Sequence, residues 1–135
     1  MLAARGGGGV HEVLGVVVEE ASATRVVMSL EVGERVHQPY GILHGGVSAL
    51  LAESAASFGA ALAAPPGSRV VGIELSASHL RAMREGVLTA VATPVRAGRT
   101  VQVWEIRLAD QRDREICRAR CTLSVIAGPL PPTLE

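Results

Sequence analysis

One stretch of this chain limits its folding options more than any other. From His44 to Ala63 the sequence is Ala-rich and, after His44 itself, carries a single acidic or basic side chain, Glu53. Val47, Leu50, Leu51, Ser54, Ala55, Phe58, Ala61 and Leu62 follow the i, i+3, i+4, i+7 spacing of an amphipathic helix. Alanine is the strongest helix former, and Pro65, Pro66 and Gly67 stop the run. A single long helix is therefore expected over His44–Ala63, with an apolar face that something else must cover.

The flanking segments supply the cover. Val10–Glu20 and Arg25–Val32 are rich in Val and read as a hairpin of two strands. Gly33–Leu43, with Pro39 and Gly41, reads as a loop. Four more strands are expected at Arg69–Ala77, Gly86–Val95, Thr100–Ala109 and Glu115–Ile126. Val71, Ile73 and Leu75 alternate onto one face, as do Trp104, Ile106 and Leu108, and Cys117, Ala119, Cys121, Leu123 and Val125. The short turns between them make antiparallel neighbours. The fold class is α+β: one helix lying across an antiparallel sheet, in a single domain over residues 10–127. Residues 1–9 read as a flexible leader and residues 128–135 as a tail.

Composition removes several functions. Aromatic residues make up 2% of the chain, so Ala, Val, Leu and Ile must fill the interior. All 13 basic residues are Arg, which excludes a Schiff-base lysine and the lysine of a phosphate-binding P-loop. The formal net charge of +0 gives no bulk reason to expect nucleic acid or an anionic membrane as partner. Glu53 and three serines interrupt the longest apolar stretch, so no bilayer span is expected. Cys117 and Cys121, four apart in a strand, are separated by about 13 Å, too far for a disulfide. Two free thiols suit a reducing cytoplasm. No metal-ligand spacing is present, and no metal is expected.

Two features of the helix carry chemistry. Gly45 and Gly46 stand at its start, where backbone amides lack internal partners and the helix dipole is positive. Bare amides there make an oxyanion hole, and a plain loop-to-helix junction is the competing reading. Glu53 is the second feature, with Ser57 one turn on. It reads either as a general base in surroundings of low polarity or as a single charge keeping the helix soluble. Gly45 and Glu53 are eight residues apart, about 12 Å along one helix axis. A base and an oxyanion donor must each come within about 3–4 Å of one carbonyl carbon. If both act together, they belong to different subunits, and the protein is a dimer with two composite sites.

At these residues the chain resembles a known family. Gln38-Pro39-Tyr40-Gly41, His44-Gly45-Gly46 and Leu51-Ala52-Glu53-Ser54 are similar to the hotdog-fold acyl-CoA thioesterases. The similarity extends through Val71-Gly72-Ile73-Glu74, Ser78-His79-Leu80-Arg81, Arg84-Glu85-Gly86 and Val103-Trp104-Glu105. It is strongest to the branch acting on aromatic acyl-CoA esters such as 4-hydroxybenzoyl-CoA and 1,4-dihydroxy-2-naphthoyl-CoA. The resemblance implies that Glu53 is the catalytic carboxylate and that the Gly45 amide polarises the thioester carbonyl. It implies that Gln38 and His44 hold that carbonyl and shape the loop, with Gly46 beside them, and that Ser57 orients water. His79 is implied near the acyl pocket, and Arg81, Arg99 and Thr100 near the coenzyme's phosphates. It implies a homodimer assembling into a homotetramer, with an acyl-CoA substrate and no cofactor beyond the coenzyme A of that substrate. From the residues alone, His79 reads equally as a hydrogen-bonded core residue, Arg81 and Arg84 as edge charges, and His11 and His37 as ordinary surface residues. A phenylacetyl-CoA-type thioesterase, a hotdog enoyl-CoA hydratase and a non-catalytic acyl-CoA-binding module are the alternatives.

Overall fold

The computed structural model describes residues 8–128. Most of the leader and nearly all of the tail expected from the sequence lie outside them. The elements are α1 (Val10–Leu14), β1 (Val17–Ala21), β2 (Val26–Val32), a 3-10 turn (Glu34–Val36), α2 (Gly45–Ala63), β3 (Arg69–His79), β4 (Gly86–Ala97), β5 (Val101–Ala109) and β6 (Glu115–Ile126). The strands form one antiparallel six-stranded sheet in the order β1-β2-β4-β5-β6-β3. The chain reaches β3 from β2 through α2, and this crossing leaves β3 as the far edge.

The α+β architecture is as expected, with one long helix packed against the sheet. The N-terminal segment is not. Val10–Glu20 was expected as one strand, and it divides into α1 and β1 at Gly15, whose φ of 70° places it in the left-handed region. The β preference of valine yields because α1 packs on α2: His11 Nε2 lies 2.7 Å from Ser54 Oγ and its ring meets Phe58. His11 is thus half-buried at a helix contact rather than an ordinary surface residue.

The face of α2 that meets the sheet is also rotated from the expected stripe. Ser48, Leu51, Ala52, Ala55, Ala56, Gly59 and Ala60 are buried, whereas Leu62 is 47% exposed. The bulk comes from the sheet instead, through Trp104, Ile106, Leu108, Leu88 and Leu123. Close packing then demands small residues on the helix. A Cβ on Gly59 would overlap the Trp104 indole ring. That ring donates its N–H to Gln102 Oε1 (2.8 Å), and Gln102 Nε2 donates to the Ala60 carbonyl (3.0 Å), which also accepts from the Ala64 N–H. By length and apolarity alone Gly45–Ala63 is long enough to cross a bilayer, contrary to the reading from Glu53 and the serines, though its small-residue face lies against the sheet.

In β3 the expected alternation breaks. A β-bulge between Gly72 and Glu74 inserts Ile73 and reverses the phase. Val71 and Ile73 are 40% and 59% exposed, and Leu75 packs on the core. His79, opposite buried Cys117, shares the inward face with Leu75 but not with Ile73. In β6, Cys117, Ala119, Cys121 and Leu123 are buried as expected, both thiols being free.

Candidate active site

The loop before α2 is held by its own backbone. Gln38 N–H donates to Ile42 O (2.8 Å), and Gly41, at φ 78°, donates to Gln38 O (3.0 Å). The Gln38 side-chain oxygen accepts from the Tyr40 amide, which leaves the carboxamide NH2 as the free donor of that residue. Leu43 N–H reaches Met83 O (2.7 Å) and His44 N–H reaches Val36 O (2.9 Å). His37 Nε2 lies 2.6 Å from Arg84 O, tying the loop to the segment after β3. His37 is therefore a structural tie rather than a solvated surface residue.

A tally of amides explains the glycine pair. His44 caps α2, its Nδ1 accepting from Gly46 N–H (2.8 Å). The His44 carbonyl takes the Val47 and Ser48 amides at 3.0 and 3.5 Å. Of the first four helical amides, only that of Gly45 has no acceptor among the described residues. Nδ1 accepts only as an unprotonated nitrogen, so this cap fixes the proton of neutral His44 on Nε2. Each glycine also makes room for an imidazole. A Cβ on Gly46 would lie 2.9 Å from His44 Nδ1, and one on Gly45 would lie 2.8 Å from His79 Nε2. The first turn is thus open to a ligand oxygen and walled by His79 of the far edge strand.

Gln38, Gly45, His79 and Arg81 line one cleft of about 350 Å³ with Ile42, Leu43, Ser48 and Ile116. Four of the expected site residues are brought together there, while His44 and Gly46 are not in its lining and meet each other in the helix cap. Sequence reasoning missed Ser48, which carries no signal beyond its place one turn after Gly45.

Glu53 and Ser57 lie elsewhere, on the middle turns of α2. Glu53 is exposed on the single chain, so the chain's own elements do not supply the low-polarity setting expected of it. Its carboxyl rests over Gly72, where a Cβ would lie 3.1 Å from Glu53 Cδ. A glycine inside a strand is the sequence signal that could have revealed this contact. Burial, and then the charges of Glu53 and Glu74, push the Cys121 thiol beneath up to about 11. Ser57 is half-buried one turn on. Arg99 and Thr100 line a different cleft, of about 360 Å³, with Arg96 at the β4–β5 turn. Since neighbouring Gln102 binds Ala60, this turn sits at the C-terminal end of α2, opposite Arg81. Among the described residues no three His, Cys, Asp or Glu side chains gather in a way that would hold a metal ion.

Comparison with known proteins places this arrangement. The model of the thioesterase superfamily matches residues 40–117. The 1,4-dihydroxy-2-naphthoyl-CoA hydrolase of Listeria monocytogenes is 44% identical over 117 residues, covering 87% of this chain and 95% of that protein. The chain belongs to the thioesterase superfamily. A crystal structure of a thioesterase from Haemophilus influenzae superposes with a TM-score of 0.81 at 40% identity, covering 84% of this chain and 80% of the other. A Streptococcus pneumoniae protein described as a hypothetical thioesterase, solved with coenzyme A, superposes with a TM-score of 0.76 at 25% identity, over 84% and 87% of the two chains. The single helix on the antiparallel sheet is the hotdog fold of this family, and the thioesterase is a thioester hydrolase.

Proposed function

We propose that this thioesterase hydrolyses an aromatic acyl-CoA ester to the free acid and coenzyme A, at sites shared between two subunits. The observation that carries the reading is the division along α2. The Gly45 amide has no acceptor among the described residues and lies in a cleft with Gln38 and His79, while Glu53 lies two turns on, exposed and outside that cleft. Gly45 of one subunit and Glu53 of another meet when two α2 helices run antiparallel. Two features of the surface support such a pairing. The eleven-residue strand β3 is an unpaired edge with Val71 and Ile73 exposed. An edge of that length invites a second strand. The flank of α2 bearing Glu53 is also left uncovered by the chain's own sheet. Such dimers pair further into a homotetramer in this reading.

The chemistry then follows from the parts. The Gly45 amide, with the Gln38 NH2, holds the thioester carbonyl oxygen and stabilises the charge it gains. Glu53 of the other subunit takes a proton from a water held by Ser57, and the water oxygen adds to the carbonyl carbon. The C–S bond breaks, and the coenzyme leaves as a thiolate that recovers the proton. Arg81 stands at the cleft beside the coenzyme's path. Arg99 and Thr100, at the opposite end of α2, approach the same site from the other subunit and bind phosphate there. No resident cofactor takes part. The name of the Listeria relative, a naphthoyl-CoA hydrolase, supports an aromatic acyl group. The reducing cytoplasm is the proposed location, in keeping with two free thiols.

The test is free-thiol release from a panel of acyl-CoA esters. Aryl esters are expected to outrun fatty ones. Glu53→Ala is expected to abolish turnover while the dimer persists in sedimentation. Retained turnover in that variant ends the proposal.

A further inference from the structure

The chain has one Trp, one Phe and one Tyr. Trp104 is buried, and Phe58 is half-buried against His11. Tyr40 is 86% exposed. Its ring stands in water, yet its backbone is fixed. Tyr40 takes the third position of the turn Gln38–Gly41, which the Gly41 N–H closes on Gln38 O (3.0 Å). The Tyr40 N–H is held in turn by the Gln38 side-chain oxygen. A ring on a backbone already ordered loses little further freedom when a ligand covers it. Two guanidinium groups join it. Leu43 N–H donates to Met83 O (2.7 Å) and His37 Nε2 lies 2.6 Å from Arg84 O, so the segment after β3 is lashed to this loop. A Cβ on Gly41 would lie 4.0 Å from Arg84 Nη1, which puts that guanidinium beside the residue next to Tyr40. Arg81 lines the cleft with Gln38. Arg25, Arg107, Arg114 and Arg118 hold carboxylates, whereas Arg81 and Arg84 make no ion pair among the described residues.

We infer that Tyr40 is a binding platform on which the adenine of the coenzyme stacks, with Arg84 beside it on the phosphates. This rests on the hydrolase reading above and extends its site outward, to the end of the substrate farthest from the thioester. An adenine nucleotide is a flat base joined to charged phosphates. A fixed ring next to uncommitted guanidinium groups matches it part for part, because the ring offers a π-face and arginine forks onto phosphate oxygens. The ring does not serve the acyl group. It stands in solvent, and it is absent from the lining of the cleft that holds the Gly45 amide. Its reach agrees with this role. Tyr40 stands five residues before Gly45, a span of at most about 18 Å, which leaves length for the pantetheine arm between carbonyl and nucleotide. The pair Tyr40 and Arg84 thereby makes the enzyme selective for the carrier as well as the acyl group. The same thioester on pantetheine alone lacks both the base and the phosphates that this loop recognises.

Tyr40 is the one tyrosine of the chain, so ring-labelled tyrosine gives a single signal in the NMR spectrum of the whole protein. Adenosine 3′,5′-bisphosphate is titrated against it, with pantetheine as the control. The expected result is a saturable upfield shift of the ring signal with the nucleotide and none with pantetheine. Calorimetry then gives dissociation constants for coenzyme A. Tyr40→Ala is expected to weaken binding about tenfold, and Tyr40→Phe to restore it, since stacking needs the ring and not the hydroxyl. Arg84→Gln is expected to weaken binding as well and to leave it less dependent on salt. Both side chains lie on the surface, so their replacement does not endanger the fold. A ring signal unmoved at saturating nucleotide, or coenzyme A binding unchanged in Tyr40→Ala or in Arg84→Gln, overturns the inference. So does a changed assembly state of Tyr40→Ala in sedimentation, which would make the ring a subunit contact. Thiol release from acyl-CoA esters is scored separately. A nucleotide-induced shift with no thiol release upholds the role of Tyr40 and removes the hydrolase reading, and thiol release with an unmoved ring does the reverse.

Discussion

The first turn of α2 and its middle turns are built on opposite plans. The first turn is finished within one chain. His44 caps it, Gly46 admits the capping ring, Gly45 admits His79, and the loop from Gly33 is lashed to the segment after β3. The middle turns are unfinished. Glu53 and Ser57 lie on a flank the sheet does not cover, with Glu53 exposed and its carboxyl over the bare strand at Gly72. Donors to a carbonyl work when they are fixed in advance, so rigidity is stored at the helix end. The acid gains from loss of water, and that loss waits for a second surface to close over it.

The sharpest way to break this contrast is to disable each region separately. Glu53→Gln is expected to lower kcat by about 10³-fold in a thiol-release assay. Its melting temperature should stay near that of the native protein, because an exposed side chain contributes little to stability. Gly45→Ala pushes a methyl group into the space of the His79 ring, 2.8 Å from its Nε2. A loss of about 10²-fold in kcat/KM is expected, as a donor is shifted by a fraction of an ångström. Mixing Glu53→Ala subunits with Gly45→Ala subunits after reversible dissociation is the decisive control. If each site draws one residue from each subunit, about a quarter of native activity returns, since half the dimers are mixed and each has one intact site. No recovery would mean that both residues serve a site within one chain.

Smaller effects sharpen the comparison from the side of the sheet. Gly59→Ala forces a methyl group against the buried Trp104 ring and should cost about 1–3 kcal/mol in denaturant unfolding. The activity of the molecules that remain folded should change little, which separates the packing face of α2 from its reactive flank. The weakest expected effect is a limb in the pH dependence of stability. The Cys121 thiol is raised from 9.0 to about 11 in the folded chain, by burial first and then by Glu53 and Glu74. The unfolded chain loses that proton first, so stability should decline as pH rises from about 9 toward 11. Cys121→Ala should flatten the limb, and Glu53→Gln should move it slightly downward in pH. A limb indifferent to both would mean that other groups set it.

Resemblance to a family singled out Gln38 and His44, whereas the sequence by itself determined the helix, its ends, the order of the main strands, and Gly45 and Glu53 as candidates. Those conclusions follow from local physics: periodicity, proline and glycine as stops, and the fixed rise of a helix. The eight-residue spacing even separated the acid from the oxyanion donor before any coordinates, because no side chain spans about 12 Å. Only tertiary structure decided the rest. Val10–Leu14 is helical because α2 offers His11 a partner and the core offers Leu14 a surface to pack on, against valine's own preference. The buried face of α2 is its small-residue face because Trp104 comes from the opposite layer and needs the space at Gly59. The bulge at Ile73 turned β3 out of its pattern. Each of these depends on which distant residue arrives next to which, and a linear pattern does not encode that proximity.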